Sequence, residues 1–177
     1  DAAQHQNILY LGSVPHDGVR YLRPHFLLDL VDVTGLDTVS PTYDWTHLDA
    51  FVDIVVASRQ ALFFQLMGNP GGQFKDFRIA TKIDSWKAFV RDLAIHLEAR
   101  YGTAEVRGWF FETWNEPDID FGWTWDTEEA FYNYYDACSE GLLAADPQLR
   151  LGGPGVANIQ ADLLEGLIDH ARVSTYK

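Results

Sequence analysis

At 177 residues, 47% apolar and 22% charged, the sequence has the composition of a globular domain with room for a sizeable core. A formal net charge of −13, with no clustered Lys or Arg, argues against a nucleic-acid partner or an anionic membrane surface. Cys138 is the only cysteine, so no disulfide can close within the chain, and no 18-residue apolar stretch offers a membrane span.

The chain opens Asp1-Ala2-Ala3-Gln4, with neither an initiator Met nor a signal-peptide pattern, as an internal segment would. Gln4 to Val14 is an apolar run that fits either a helix end or a strand. Val19 to Phe26 reads as a strand, with Pro24 near its end. From Thr46 to Ser58, Leu48, Phe51, Val52, Val55 and Val56 recur at helical spacing, which predicts an amphipathic helix. Ala61 to Met67 is a short apolar strand stopped by Gly68-Asn69-Pro70-Gly71-Gly72.

Asp84 or Ser85 is positioned to cap a helix to about Arg100, with Trp86, Phe89, Val90, Leu93 and Leu97 inward and Gly102 ending it. Val106 to Trp114 is the next expected strand. Thr127 caps a long helix through Phe131, Tyr134, Tyr135 and Leu142, ending near Asp146-Pro147. Cys138 falls on that helix, where an unpaired Cys usually behaves as a small buried hydrophobe. Leu149 to Gly152 is a short strand, and a last helix runs from about Ala161 to His170.

Short strands alternating with long helices imply βαβ units and a parallel sheet. Units of this length suit a (β/α)8 (TIM) barrel, which needs roughly 250 residues when complete, so these 177 residues fit about half of one. An open flavodoxin-like sheet would fit the length, but no phosphate-cradling loop follows the first strand.

Chemistry concentrates in Trp109-Phe110-Phe111-Glu112-Thr113-Trp114-Asn115-Glu116-Pro117. Strand alternation puts Phe110, Glu112, Trp114 and Glu116 on one face and Trp109, Phe111, Thr113 and Asn115 on the other. Glu116 then sits at the strand's C-terminal end, where barrel enzymes carry their catalytic groups. Taken alone, a Glu before Pro is a loop carboxylate; the Asn-Glu-Pro context after Trp114 favours a catalytic acid.

Glycoside hydrolysis needs two carboxylates, about 5–5.5 Å apart for retention and about 6.5–9.5 Å for inversion. Glu112 lies about 13 Å along the strand from Glu116 and reads as a buried structural acid. Asp118 and Asp120 approach from the same loop, so the second carboxylate must come from another strand. Arg23 and His25, two apart near a strand end, share a face and are either structural or sugar-contacting. No zinc-ligand spacing, nucleotide loop or nucleophile elbow is present, so neither metal nor cofactor is expected.

The segment FFETWNEPD resembles the acid/base strand of glycoside hydrolase family 39, which contains β-xylosidases and α-L-iduronidases. The stretches VPHDGVRYLRPHFLLDLV, YDWTHLDAFVDIV, FQLMG, FKDF and NYYDACSEGLLAADPQLRLGGPG are similar to the iduronidase branch, and cover the chain to about Gly155. From about Ala157 to Lys177 the similarity is weaker.

The resemblance implies that residues 1–177 form one incomplete TIM-barrel domain, about strands 2 to 5, with the first helix settled as the one before strand 2. It implies a retaining exo-hydrolase that removes terminal α-L-iduronic acid from the non-reducing ends of glycosaminoglycans such as dermatan and heparan sulfate. Glu116 then matches the acid/base, Asn115 the adjacent substrate-contacting Asn, and His25 a substrate-contacting His. The nucleophile and the first strand would lie outside these residues, leaving the segment alone inactive.

A lysosomal setting and an acidic optimum follow from the same resemblance, with a secreted or bacterial protein as the alternative. No Asn-x-Ser/Thr sequon occurs, and Asp44 stands where a glycosylated Asn is expected. The rival readings are a β-xylosidase of the same family and a non-catalytic carbohydrate-binding relic.

Overall fold

The protein is described from a computed structural model, covering residues 2–14, 18–35, 40–74, 76–119, 127–159 and 162–173. Four strands, β1 (Tyr21–Leu22), β4 (Ala61–Gln65), β5 (Phe110–Glu112) and β6 (Leu151–Gly152), form one parallel sheet in chain order. Each is linked to the next through helical segments: α2 (Thr46–Ala57), α3 (Ala80–Tyr101) with α4 (Thr103–Val106), and α5 (Glu128–Ala145). Helix α1 (Ala2–Gly12) precedes the sheet and α6 (Asp162–Val173) follows it. This is the α/β architecture of a partial barrel, as the alternation of short strands and long helices implies.

The helical periodicities hold. On α2, Leu48, Val52 and Val55 are buried, and on α3 Trp86, Phe89, Val90, Leu93 and Leu97 are completely so. The Thr127 side chain accepts from the Ala130 N–H at 3.2 Å and caps α5, satisfying an otherwise orphaned donor. Gly102 ends α3 at φ +90°, a conformation that penalises any residue with a Cβ.

Between α3, α5 and the sheet lies an aromatic core. The Trp86 ring meets Phe74 at 4.9 Å, Phe77 and Phe89 at 5.5 Å and Tyr134 at 5.6 Å between centroids. Trp86 Nε1 donates to Cys138 Sγ at 3.2 Å, and burial pushes that thiol up to about 12, so Cys138 is an inert core group.

The structure departs from the sequence-based expectations in several places. Helix α3 begins one turn earlier than Asp84, at Ala80; Ser85 instead donates its hydroxyl back to the Thr81 carbonyl at 2.8 Å, an interior position rather than a cap. The strand expected over 106–114 is only Phe110–Glu112, because Thr103–Val106 coils into a helical turn that buries Val106. A hairpin absent from the sequence reading, β2 (Asp32–Thr34) with β3 (Thr42–Asp44), is inserted after β1, with Val33 opposite Tyr43. Asp44, at its end, accepts from the Thr46 N–H at 2.9 Å and leads the chain into α2. Among the described residues no helix is long and apolar enough to cross a membrane.

Candidate active site

The C-terminal ends of the parallel strands bring the polar candidates together. Gln65 ends β4 and Glu112 ends β5, and the strand register sets them side by side. Both are buried, Gln65 fully and Glu112 to 5% exposure. Gln65 Nε2 donates to Glu112 Oε2 at 2.6 Å.

Arg23, just past the end of β1, reaches the same carboxylate with two donors, Nε to Oε2 at 2.7 Å and Nη2 to Oε1 at 3.1 Å. This forked pairing is the geometry that guanidinium and carboxylate favour, and it compensates the burial of Glu112. Glu112 is thus the structural acid expected from its place in the strand.

Arg23 Nη2 also donates to Asn115 Oδ1 at 3.0 Å. Asn115 therefore stands on the same side as Glu112, not the opposite side that strict alternation predicts. The reason is local: β5 ends at Glu112, Thr113 and Trp114 leave the strand, and Asn115 rejoins only through an isolated bridge to Gly155. Trp114 is buried, with its ring edge-on to Phe26 and Tyr134.

Glu116 follows in the left-handed region at φ +51°, a conformation rare for a non-glycine residue and often found at functional positions. Its N–H donates to the Gly155 carbonyl at 2.6 Å, and its own carbonyl accepts from Ile119 N–H at 3.1 Å. The half-buried Glu116 carboxyl has no hydrogen-bond or ion-pair partner among the described residues. The end of β5 thus carries a carboxylate that is fully engaged, and the loop that follows carries one that is free to act.

The loop after β6 holds this geometry. A Cβ on Gly155 would lie 2.6 Å from Arg23 Nη2, so a larger residue there would push the guanidinium from its place between Glu112 and Asn115. Asp118 accepts from the Ala157 and Asn158 N–H groups at 2.8 and 2.9 Å. Burial acts to raise its pKa, but those donors outweigh it and hold the carboxyl below the usual range. Asp118 pins two loops together and is not a second catalytic carboxylate. Asp120 lies outside the described residues.

His25 completes the cluster through Gln65, its Nδ1 lying 2.6 Å from Gln65 Oε1. Gln65 is a residue of this cluster that the sequence patterns do not single out. The available signal was a single amide in the run ALFFQLM, two residues past Phe63 and hence on the same face.

A family model, Glycosyl hydrolases family 39, matches residues 1–175. The chain belongs to glycosyl hydrolase family 39. The family 39 match runs beyond Gly155 and takes in α6. Human α-L-iduronidase is 47% identical over 86% of this chain and 23% of its own length, and the dog enzyme 42% over 97% and 27%. The chain thus spans about a quarter of the length of these relatives. Among solved structures, a bacterial orthologue of human α-L-iduronidase superposes with a TM-score of 0.88 at 37% identity, covering 96% of this chain and 27% of that one. A monomeric β-xylosidase from Caulobacter crescentus CB15 gives 0.73 at 30%, covering 96% and 35%.

Proposed function

We propose that the protein containing these residues is a retaining α-L-iduronidase in which Glu116 is the general acid/base. The observation that carries this reading is the placement of Glu116: past the C-terminal end of a parallel strand, beside Asn115, with no partner for its carboxyl. Relatives named α-L-iduronidase at 42–47% identity support the substrate.

In the first step Glu116 gives its proton to the glycosidic oxygen while a carboxylate from chain outside these residues attacks the anomeric carbon and the C–O bond breaks. In the second, Glu116 takes a proton from water, which attacks the same carbon and releases the enzyme carboxylate. Arg23 occupies Asn115 Oδ1, which leaves the Asn115 Nδ2 donors for a substrate hydroxyl. A donor held to the 2-hydroxyl strengthens as positive charge develops on the ring.

The substrate is terminal iduronate on dermatan or heparan sulfate, and the setting an acidic compartment such as the lysosome. The missing sequon does not oppose this, since the bacterial orthologue does not need N-glycans to be catalytically competent. A β-xylosidase is the second reading, favoured by relatives of that name at 28% and 31% identity.

The test is hydrolysis of a fluorogenic α-L-iduronide beside the matching β-xyloside by the full-length protein at acidic pH. Iduronide turnover that falls by about 10²–10⁴ in Glu116→Gln is the expected result. Turnover of the xyloside alone moves the substrate to the second reading, and iduronide turnover unchanged in Glu116→Gln removes Glu116 from the mechanism.

A further inference from the structure

The polar chain Arg23–Glu112–Gln65–His25 fixes more than geometry: it fixes where a proton sits. Glu112 Oε2 already accepts from Arg23 Nε, so the Gln65 atom 2.6 Å away must be the amide nitrogen. Turning the amide over would set two acceptor oxygens against each other at that distance on a fully buried side chain, which is costly. With Nε2 committed to Glu112, Gln65 shows His25 only its carbonyl oxygen, Oε1.

That oxygen can only accept. His25 Nδ1, 2.6 Å from it, must therefore carry a hydrogen, whether the imidazole is neutral or charged. In the neutral ring the second nitrogen, Nε2, is then a lone-pair acceptor. His25 is exposed, and Nε2 has no partner among the described residues.

We infer that Gln65 is a positioning residue that locks His25 in the Nδ1–H tautomer, so that Nε2 is the nitrogen offered to a substrate hydroxyl. The lock originates in Glu112: the buried carboxylate orients the Gln65 amide, and the amide orients the imidazole. A free imidazole would exchange its proton between the two nitrogens, so Nε2 would be a donor in one tautomer and an acceptor in the other. The inference rests on the carbohydrate-processing reading for the identity of the hydroxyl, but the tautomer itself does not depend on it.

The experiment uses full-length protein labelled with ¹⁵N-histidine, at a pH where His25 is neutral, with the His25 signal assigned from its loss in His25→Gln. Long-range ¹H–¹⁵N correlation should give a pyrrole-type Nδ1 and a pyridine-type Nε2. In Gln65→Leu, or Gln65→Met if the Leu variant does not fold, the two shifts should move towards tautomeric averaging. The KM for the iduronide should rise about five- to tenfold, with kcat changed less than about twofold, as expected for one hydrogen bond lost from binding. A pyridine-type Nδ1 in the wild type, an unchanged tautomer in both Gln65 variants, or an unchanged KM would each overturn the inference. A failure of the functional reading shows separately, as absent sugar turnover with the wild-type tautomer intact.

Discussion

On the helix-covered face of the sheet, Leu62 and Phe64 of β4 and Phe111 of β5 are completely or almost completely buried in the hydrophobic core. On the opposite face of the same strands, Tyr21, Phe63 and Phe110 are only half-buried, although their rings pack on one another at 5.3 and 5.6 Å. The aromatic investment is similar on both sides, but only one side is closed by the described residues. The open face also carries the polar chain from Arg23 to His25 at its C-terminal edge. One face is therefore devoted to stability, and the other is the lining of a barrel whose remaining strands we place in chain outside these residues.

The contrast gives its largest test in a pair of substitutions. In the full-length protein, Phe64→Ala should cost about 3–5 kcal/mol of unfolding free energy, the usual loss for a buried Phe. If the open face is closed by the rest of the barrel, Phe63→Ala should cost nearly as much. A loss of roughly half that size or less, measured by urea unfolding, would mean that this face stays open to water.

The next effect in size concerns the buried acid. Arg23→Leu leaves Glu112 without its guanidinium and should cost about 2–3 kcal/mol, discounted from the fully buried case because Arg23 is partly exposed. Adding Glu112→Leu should recover part of that loss, because two apolar groups are easier to bury than one unpaired charge. A double variant less stable than Arg23→Leu would contradict the assignment of Glu112 as an anchored structural carboxylate.

The smallest effect lies on the helix-covered side. Burial, together with a hydrogen bond to Asp146, raises the pKa of Glu98. The Arg107 side chain, hydrogen-bonded to Asp146, lowers that of Asp146 to about 2, so the two carboxyls are shifted in opposite directions. A carboxyl whose folded pKa is raised binds its proton more tightly in the folded state. Its contribution is therefore complete below the ordinary carboxylate range and is lost as pH climbs through the raised value. Glu98→Gln keeps the donor and removes the titration, so the decline in Tm from acidic to neutral pH should be shallower than in the wild type. An unchanged pH profile would show that Glu98 does not hold the proton.

Much of this was legible in the sequence wherever a pattern ran long enough. The inward positions of α3, Trp86 through Leu97, and the Thr127 cap follow from helical spacing and capping chemistry over 18 to 22 residues. The hairpin of β2 and β3 was not legible, because strands of three residues leave too few positions for alternation to register.

At the site, strand geometry marked Glu112 as a buried acid, whereas the catalytic role proposed for Glu116 came from its Asn-Glu-Pro context. The side on which Asn115 stands could not be read from either. It depends on the chain leaving the strand after Glu112 and entering the left-handed region at Glu116, which a period-two rule does not anticipate. The Gln65 relay was hidden for a similar reason: its partners come from positions 40 and 47 residues away, and only the register of β4 and β5 brings them together.

The central claim, that Glu116 is the acid/base of a retaining mechanism, is tested most directly by Glu116→Ala in the full-length protein. The substrate is an aryl α-L-iduronide with a good leaving group, with and without azide. The leaving group needs no acid, so the glycosyl-enzyme should form and accumulate, and azide, which needs no base, should restore turnover. The expected product is the iduronosyl azide with the α configuration of the substrate. An azide product of inverted configuration, or hydrolysis by Glu116→Ala as fast as the wild type without azide, would contradict the account.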